Sequence, residues 1–153
     1  MSDSVTTTTV YRPARSSRPP SSKHGTALIV EDHSDSREFL SVFLEGLGYA
    51  VLAAEDGKEA LRMVASHPVS LILTDLSLPL MDGVELVRQV RRSKHNGDDP
   101  RIVMLSAYDR NEYVASALDA GCDAVLTKPV DLDKLESVLA SLETSDWQSN
   151  ISH

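Results

Sequence analysis

Polar residues at three positions each follow a short hydrophobic run: the acidic pair Glu31-Asp32, the single aspartate Asp75 and the lysine Lys128. If the runs are parallel strands of one sheet, these residues meet at its carboxyl edge. Three carboxylates and one ammonium group suit a divalent metal ion together with a phosphoryl group. A carboxylate between a bound cation and a lysine is shielded enough to attack an electrophilic phosphorus atom. The residue types therefore indicate phosphoryl-transfer chemistry.

The elements that would position these residues follow from a regular alternation of short apolar runs with stretches of helical period. Continuous apolar residues in two of the runs indicate a sheet that is covered on both faces. Five successive strand–helix units predict an α/β fold, a doubly wound five-stranded parallel sheet of flavodoxin-like order 2-1-3-4-5 with helices on both faces. The predicted strands are residues 26–30, 49–53, 69–74, 101–105 and 123–127.

In this strand order, ligands bind where strands 1 and 3 end, and the acidic residues lie there. Helix starts are predicted at four aspartates, each followed three residues later by a glutamate, because the aspartate can accept from free backbone N–H groups and the glutamate favours the positive end of the helix dipole. These are Asp35, Asp56, Asp82 and Asp109. The first helix is expected to bury one apolar stripe of Phe39, Leu40, Phe43, Leu44 and Leu47, and the last to begin near Asp131.

The 153 residues predict one domain between two polar ends. Residues 1–25 are rich in Ser, Thr, Pro and Arg and predict a disordered basic leader, residues 26–142 the domain, and residues 143–153 a polar tail. The leader has a formal charge of +3, so the remaining chain carries −11 of the total of −8. Because the chain after the leader is so negatively charged, the folded part is not expected to bind nucleic acid. A single cysteine and short apolar runs predict a cytoplasmic protein without a membrane span.

Several short motifs, in order and at strand ends, resemble those of response regulator receiver domains. Asp32, Asp75, Ser106 and Lys128 are separated by 43, 31 and 22 residues. The resemblance covers about residues 26–142. The motifs are Ile29-Val30-Glu31-Asp32, Leu73-Thr74-Asp75, Leu78-Pro79, Met81-Asp82-Gly83, Leu105-Ser106-Ala107, Ala120-Gly121 and Thr127-Lys128-Pro129.

The resemblance implies two-component signal transduction, with Asp75 as the residue that accepts a phosphoryl group. It implies Mg²⁺ bound by Asp32, Asp75 and the carbonyl oxygen of Ser77, with Glu31 acting through water. A divalent ion would relieve the repulsion between three carboxylates in one crevice. His33 follows the acidic pair, but Mg²⁺ takes oxygen ligands, so the interpretation places His33 beside the metal site and not in it.

The resemblance also implies roles for residues near the other strand ends. Lys128 would pair with Asp75 and then with the phosphoryl oxygens, and the peptide bond before Pro129 would be cis. Ser106 would be the switch hydroxyl that turns toward the phosphoryl group. Val125 stands where the family has an aromatic switch residue, and valine has no ring to rotate.

The implied partners are a histidine kinase or histidine phosphotransfer protein and a downstream effector protein, which would bind the face of helix 4, strand 5 and helix 5. A homodimer is compatible with the resemblance. One alternative is an aspartyl-phosphate hydrolase of haloacid-dehalogenase type, although such enzymes have a second carboxylate where this chain has Ser77. Another is a scaffold receiver that works without phosphorylation, against which the intact acids and lysine argue.

Overall fold

The computed structural model describes residues 24–93, 99–107 and 111–151, and within them five strands alternate with five helices. The strands are β1 (Thr26–Val30), β2 (Ala50–Ala54), β3 (Leu71–Asp75), β4 (Arg101–Ser106) and β5 (Ala124–Thr127). The helices are α1 (Ser34–Leu47), α2 (Gly57–Ser66), α3 (Gly83–Arg92), α4 (Asn111–Ala120) and α5 (Leu132–Ile151). The predicted strands are confirmed, with ends that differ by at most two residues.

The sheet has the order β2-β1-β3-β4-β5, and every neighbouring pair is parallel. This confirms the predicted 2-1-3-4-5 order and the flavodoxin-like fold. In the register, Val30 lies beside Thr74, Asp75 beside Leu105, and Ser106 beside Thr127. The carboxyl ends of the four strands β1, β3, β4 and β5 therefore lie at nearly the same level.

The core consists of two layers, one on each face of the sheet, because successive strand residues point to opposite faces. In β1, Leu28 belongs to the core layer that contains residues of α2, α3 and α4, whereas Ile29 belongs to the layer that contains residues of α1 and α5. In β4, Met104 and Leu105 divide between the two layers in the same way. Since both faces are covered, β3 is buried along its whole length. The near-continuous apolar character of these strands follows from this double burial.

Two of the predicted helix starts are confirmed by their capping hydrogen bonds. Asp56 precedes α2, and its carboxylate accepts from the Glu59 N–H at 2.8 Å. Asp82 precedes α3, and its carboxylate accepts from the Glu85 N–H at 2.9 Å. Each bond satisfies a backbone donor that the first helical turn leaves free. The predicted start at Asp109 lies outside the described residues.

The predicted start of α1 is wrong, since its N-cap is His33, which makes no side-chain capping bond, and Asp35 lies within the first turn. Phe39 was also expected in the buried stripe of α1, but it is 56% exposed. Successive helical residues are rotated by roughly 100°. The buried stripe is centred on Leu40 and Leu44, so Phe39 lies beyond its edge.

The start of α5 is confirmed, because the Asp131 carboxylate accepts from the N–H groups of Asp133 and Lys134 at 3.0 and 3.2 Å. The helix continues to Ile151, beyond the domain end predicted at residue 142. The predicted leader falls almost wholly outside the described residues. None of the helices in the described part of the chain has the length and hydrophobicity needed to cross a membrane.

Candidate functional site

The carboxyl edge of the sheet brings the acidic residues to one level through the strand register. Val30 is paired with Thr74, so the next residues, Glu31 and Asp75, lie side by side. Glu31 also continues the sheet by one step, because its N–H donates to the Ala54 carbonyl at 3.0 Å. Two carboxylates from residues far apart in the chain are thereby placed in the same crevice.

Lys128 reaches this crevice from β5. Its N–H donates to the Ser106 carbonyl at 2.7 Å, which extends the β4–β5 pairing by one residue. The Lys128–Pro129 peptide bond is cis, as the resemblance implies. The backbone of Ser106 and the base of the Lys128 side chain are therefore fixed next to each other.

The lysine ammonium contacts both buried carboxylates. Its Nζ atom lies 3.1 Å from Asp75 Oδ2 and 3.4 Å from Glu31 Oε1. Glu31 is 1% exposed and Asp75 is 7% exposed. Buried carboxylates need such partners, because taking a charge out of water without one is costly.

The surroundings of the crevice raise the pKa of both Asp75 and Lys128. Burial raises the pKa of Asp75 above its usual value, and the Glu31 charge adds to this, while the hydrogen bond and charge of Lys128 oppose it. Burial by itself lowers the pKa of Lys128, but the hydrogen bond and charge of Asp75, followed by Glu31, raise that pKa overall. Lys128 therefore stays charged at neutral pH, and the crevice has an excess of negative charge.

Asp32 lies at the open side of the crevice, with a 38% exposed side chain. Glu31, Asp32 and His33 each offer a ligand atom, and these atoms lie within 4.8 Å of one another. Carboxylate oxygens beside a crevice of excess negative charge are the donors that a hard divalent cation prefers. The residues present thus fit a divalent cation. His33, which the sequence analysis placed beside the metal site, lies close to the two carboxylates.

The remaining predicted site residues lie around this crevice. Ser77 is exposed, and its backbone forms a hydrogen bond with the Asp75 carboxylate that lowers the pKa of that group. Ser106 is 1% exposed at the carboxyl end of β4. Val125 is half-buried in β5 and packs against the core layer on the side of α2, α3 and α4.

Three further residues support the site, and the sequence analysis gave none of them a role of its own. The hydroxyl of Thr74 donates to the Asp75 carbonyl at 3.0 Å. Arg37 donates to the Glu31 carbonyl at 2.9 Å. A Cβ atom on Gly83 would lie 2.5 Å from the Asp75 carbonyl oxygen, so glycine is needed for this close approach. The signal for Gly83 was available in the motif Met81-Asp82-Gly83, whereas nothing in the local sequence marked Arg37.

Comparison with known proteins gives one consistent result. A family model described as response regulator receiver domain matches residues 27–140. The protein "Response regulator MprA" of Mycolicibacterium vanbaalenii is 38% identical over 115 residues, which are 75% of this chain and 48% of that protein. The chain therefore spans about half the length of the curated relatives it matches.

Solved structures give the same result. A CheY-like response regulator receiver domain protein from Methanospirillum hungatei has a TM-score of 0.72 and 29% identity over 81% of this chain and 98% of that chain. A co-crystal structure of the Saccharomyces cerevisiae histidine phosphotransfer signalling protein Ypd1 and the receiver domain of its downstream response regulator Ssk1 matches with a TM-score of 0.65 and 31% identity, over 72% of this chain and 83% of that chain. With its parallel sheet, its acidic crevice and these matches, the chain belongs to the response regulator receiver domain family of two-component signalling.

Proposed function

We propose that Asp75 accepts a phosphoryl group from a phosphohistidine on a histidine kinase or histidine phosphotransfer protein, in a Mg²⁺-dependent reaction. The observation that carries this proposal is the 3.1 Å contact between Asp75 Oδ2 and Lys128 Nζ, together with the 3.4 Å contact of the same Nζ atom with the buried Glu31 carboxylate. Asp75 is the nucleophile because it ends the central strand β3, with its backbone fixed by Thr74 and Gly83.

In the transfer step, an Asp75 carboxylate oxygen forms a bond to phosphorus while the bond from phosphorus to the partner's imidazole nitrogen breaks. The electron pair of the broken bond stays on that nitrogen, and an acyl phosphate forms on Asp75. The Lys128 ammonium keeps the carboxylate ionised before the step and donates to phosphoryl oxygens during it. The Ser106 hydroxyl turns toward the new phosphoryl group afterwards. The same groups support hydrolysis of the acyl phosphate.

The cation would be held by Asp32, Asp75 and the carbonyl oxygen of Ser77, with Glu31 acting through water. When bound, Mg²⁺ neutralises charge on the carboxylates and on the phosphoryl oxygens. Asp32 is suited to this role because its side chain is partly exposed, so an ion with its remaining waters can reach it. Glu31 is held instead by Lys128 and His33.

Phosphorylation shifts an equilibrium between two surface states, and a downstream protein binds one of them better. The face of α4, β5 and α5 is the proposed contact surface, and α4 carries the exposed Leu118. The co-crystal of a receiver domain with a histidine phosphotransfer protein supports the class of the upstream partner. The acidic charge favours proteins over nucleic acids as partners. A cytoplasmic location and a phosphorylation-linked homodimer belong to the same proposal.

The test is intact-mass spectrometry after incubation with a small phosphoryl donor and Mg²⁺. One phosphoryl group should be added to the wild type and none to Asp75→Asn. Asp133→Asn, an exposed aspartate on α5, is the matched control and should be labelled like the wild type. An unchanged mass of the wild type, or equal labelling of Asp75→Asn, would contradict the proposal.

A further inference from the structure

The outward side of α1 carries exposed apolar and acidic side chains next to one another. Phe39 is 56% exposed and Val42 is 61% exposed, and the two are neighbours because residues three apart share one side of a helix. The exposed Glu38 and Glu45 flank this pair, and the exposed Gly46 lies beside it. Adjacent exposed apolar side chains, unlike scattered single ones, indicate a contact surface. These five residues are called the α1 face.

The negative charges of the α1 face have no counterpart in the helix. Arg37, the basic residue of α1, contacts the Glu31 carbonyl and the Glu55 carboxylate instead. The last turn of α1 contains Glu45 and no basic residue, although the negative end of the helix dipole favours a cation there. In the part of the chain that the structure describes, no basic side chain forms an ion pair with Glu38 or Glu45. The α1 face is therefore complementary to a segment that is both basic and partly apolar.

Gly46 leaves this surface open for close approach. A Cβ atom on Gly46 would meet nothing within 4 Å, so packing inside the domain does not require glycine at this position. Glycine destabilises a helix relative to alanine. Without a side chain at Gly46, however, another backbone can lie close to α1.

The basic leader is attached at the end of the α1 face. His24 is the first residue that the structure describes, and its N–H donates to the Gly48 carbonyl at 3.2 Å. Gly48 is the C-cap of α1, so the leader joins the domain beside the C-terminal end of this helix. The leader also contains the apolar pair Val10 and Tyr11. Residues 1–23 have a formal charge of +3, from Arg12, Arg15, Arg18 and Lys23 against Asp3.

The leader is long enough to follow α1 from end to end. The 14 residues of α1 measure roughly 21 Å along the helix axis, and Phe39 lies roughly 12 Å from the C-terminal end. An extended chain covers roughly 3.3 Å per residue. The segment from Lys23 back to Arg18 therefore spans the length of the α1 face, and further leader residues remain to make contacts.

We propose that residues 1–23 bind intramolecularly along the α1 face, antiparallel to the helix, through charge attraction and apolar contact. The apolar and acidic surface of α4 is a less suitable site, because α4 covers the opposite side of the sheet from α1. Another protein that uses the α1 face must first displace the leader. The inference does not depend on phosphorylation of Asp75.

The test is NMR of the isotope-labelled full chain with a nitroxide spin label on the leader. The label is attached through Ser16→Cys in a Cys122→Ala background, which leaves one thiol for the reaction. It should broaden the backbone amide signals of residues 38–46. A leader of unchanged length but lower charge, with Arg12→Gln, Arg15→Gln and Arg18→Gln, should reduce this broadening by at least about threefold, because charge attraction at a surface holds the leader in place.

Charge removal from the helix should have the same effect. Glu38→Gln together with Glu45→Gln should reduce the broadening by at least about threefold, for the same reason. The matched control is Asp133→Asn together with Glu136→Gln, which removes two exposed acids from α5 on the same side of the sheet. This control should leave the broadening of residues 38–46 unchanged.

Three results would overturn the inference. The first is equal broadening of residues 38–46 with the wild-type and the less charged leader, and the second is broadening centred on another helix. The third comes from mixing spin-labelled chains without isotope with isotope-labelled chains without the spin label. Broadening of the α1 face in that mixture would assign the face to a second copy of the chain.

Discussion

The two edges of the sheet both carry charged clusters, and they differ in how completely their groups are paired. At the amino edge, where β4 and β5 begin, the guanidinium of Arg91 donates to the Pro100 carbonyl at 2.7 Å, the Gly121 carbonyl at 2.9 Å and the Asp123 carboxylate at 3.0 Å. Asp123 also accepts from the Ile102 N–H at 2.8 Å. Each group in this cluster has a partner.

At the carboxyl edge, the carboxylates of Glu31 and Asp75 contact one ammonium group, that of Lys128, and the carboxylate of Asp32 lies beside Glu31. The nearby guanidinium of Arg37 contacts the Glu31 carbonyl and the Glu55 carboxylate, and so does not offset this charge directly. A fully paired cluster stabilises a fold, whereas uncompensated charge in a crevice is typical of a site that binds an ion or a reactant. The paired cluster at the amino edge therefore has a structural role, whereas the charged residues at the carboxyl edge are suited to binding an ion or a reactant.

The largest effect is expected when the amino-edge pairing is broken. Arg91→Ala removes the guanidinium that donates to the Asp123 carboxylate and to two carbonyls. The free energy of unfolding should therefore fall by about 3 kcal/mol, as for a largely buried pair. Arg88→Ala on the same helix removes only an exposed pair with Glu85 and should cost less than about 1 kcal/mol. Urea denaturation of both variants checks this. Equal losses of unfolding free energy in the two variants would contradict a structural role for the amino-edge cluster.

A second prediction concerns Cys122, the buried thiol at the same edge, which donates to the Ala124 carbonyl at 2.9 Å. Burial raises its pKa from 9.0 to about 11 in the folded protein. Because the pKa of Cys122 is higher in the folded than in the unfolded protein, the contribution of the neutral thiol to the free energy of unfolding is fully present below the unfolded pKa. That contribution is lost as the pH rises toward the folded pKa. Between pH 9 and 11 the wild type should lose on the order of 2 kcal/mol more than Cys122→Ala. Parallel pH profiles of unfolding free energy would contradict the burial argument.

A substitution at the carboxyl edge is expected to raise the free energy of unfolding instead of lowering it. Without divalent ions, Asp75→Asn should raise the free energy of unfolding by about 1 kcal/mol, because it removes one carboxylate from a crowded crevice and leaves Lys128 its contact with Glu31. Asp133→Asn on exposed α5 should change it by less than about 0.5 kcal/mol. Thermal unfolding in a chelating buffer measures both. A destabilised Asp75→Asn would show that this edge is as well paired as the other.

The smallest effect is expected for the contact between His24 Nδ1 and Glu143 Oε2, which lie 2.6 Å apart at the amino edge. Both side chains are about one-third to one-half exposed, so Glu143→Gln should cost less than about 1 kcal/mol. Phosphorylation of Asp75 should keep the wild-type rate, since the pair lies at the opposite edge. A changed rate of phosphoryl labelling would reveal coupling between the two edges.

Much of the fold could be predicted because its causes are local in the sequence. The strands were recognisable from apolar runs that double burial requires, and the starts of α2 and α3 from Asp56 and Asp82. The start of α1 could not be predicted, because it depends on contacts that do not follow from the capping pattern. Arg37 reaches back from α1 to the Glu31 carbonyl, and His33 takes the N-cap position in place of Asp35. Phe39 was misplaced because hydrophobicity does not say which edge of a helix faces the core.

The order of the elements and the residue types at the strand ends follow from the amino-acid sequence alone, since apolar period, capping residues and motif spacing are properties of the chain. The pairing of those residues follows from the folded structure: Lys128 contacts both Asp75 and Glu31, and Glu31 contacts both Lys128 and His33. The reason is geometric, because such distances depend on strand register and side-chain packing across 53 and 97 positions of sequence. No local pattern encodes that choice of partners.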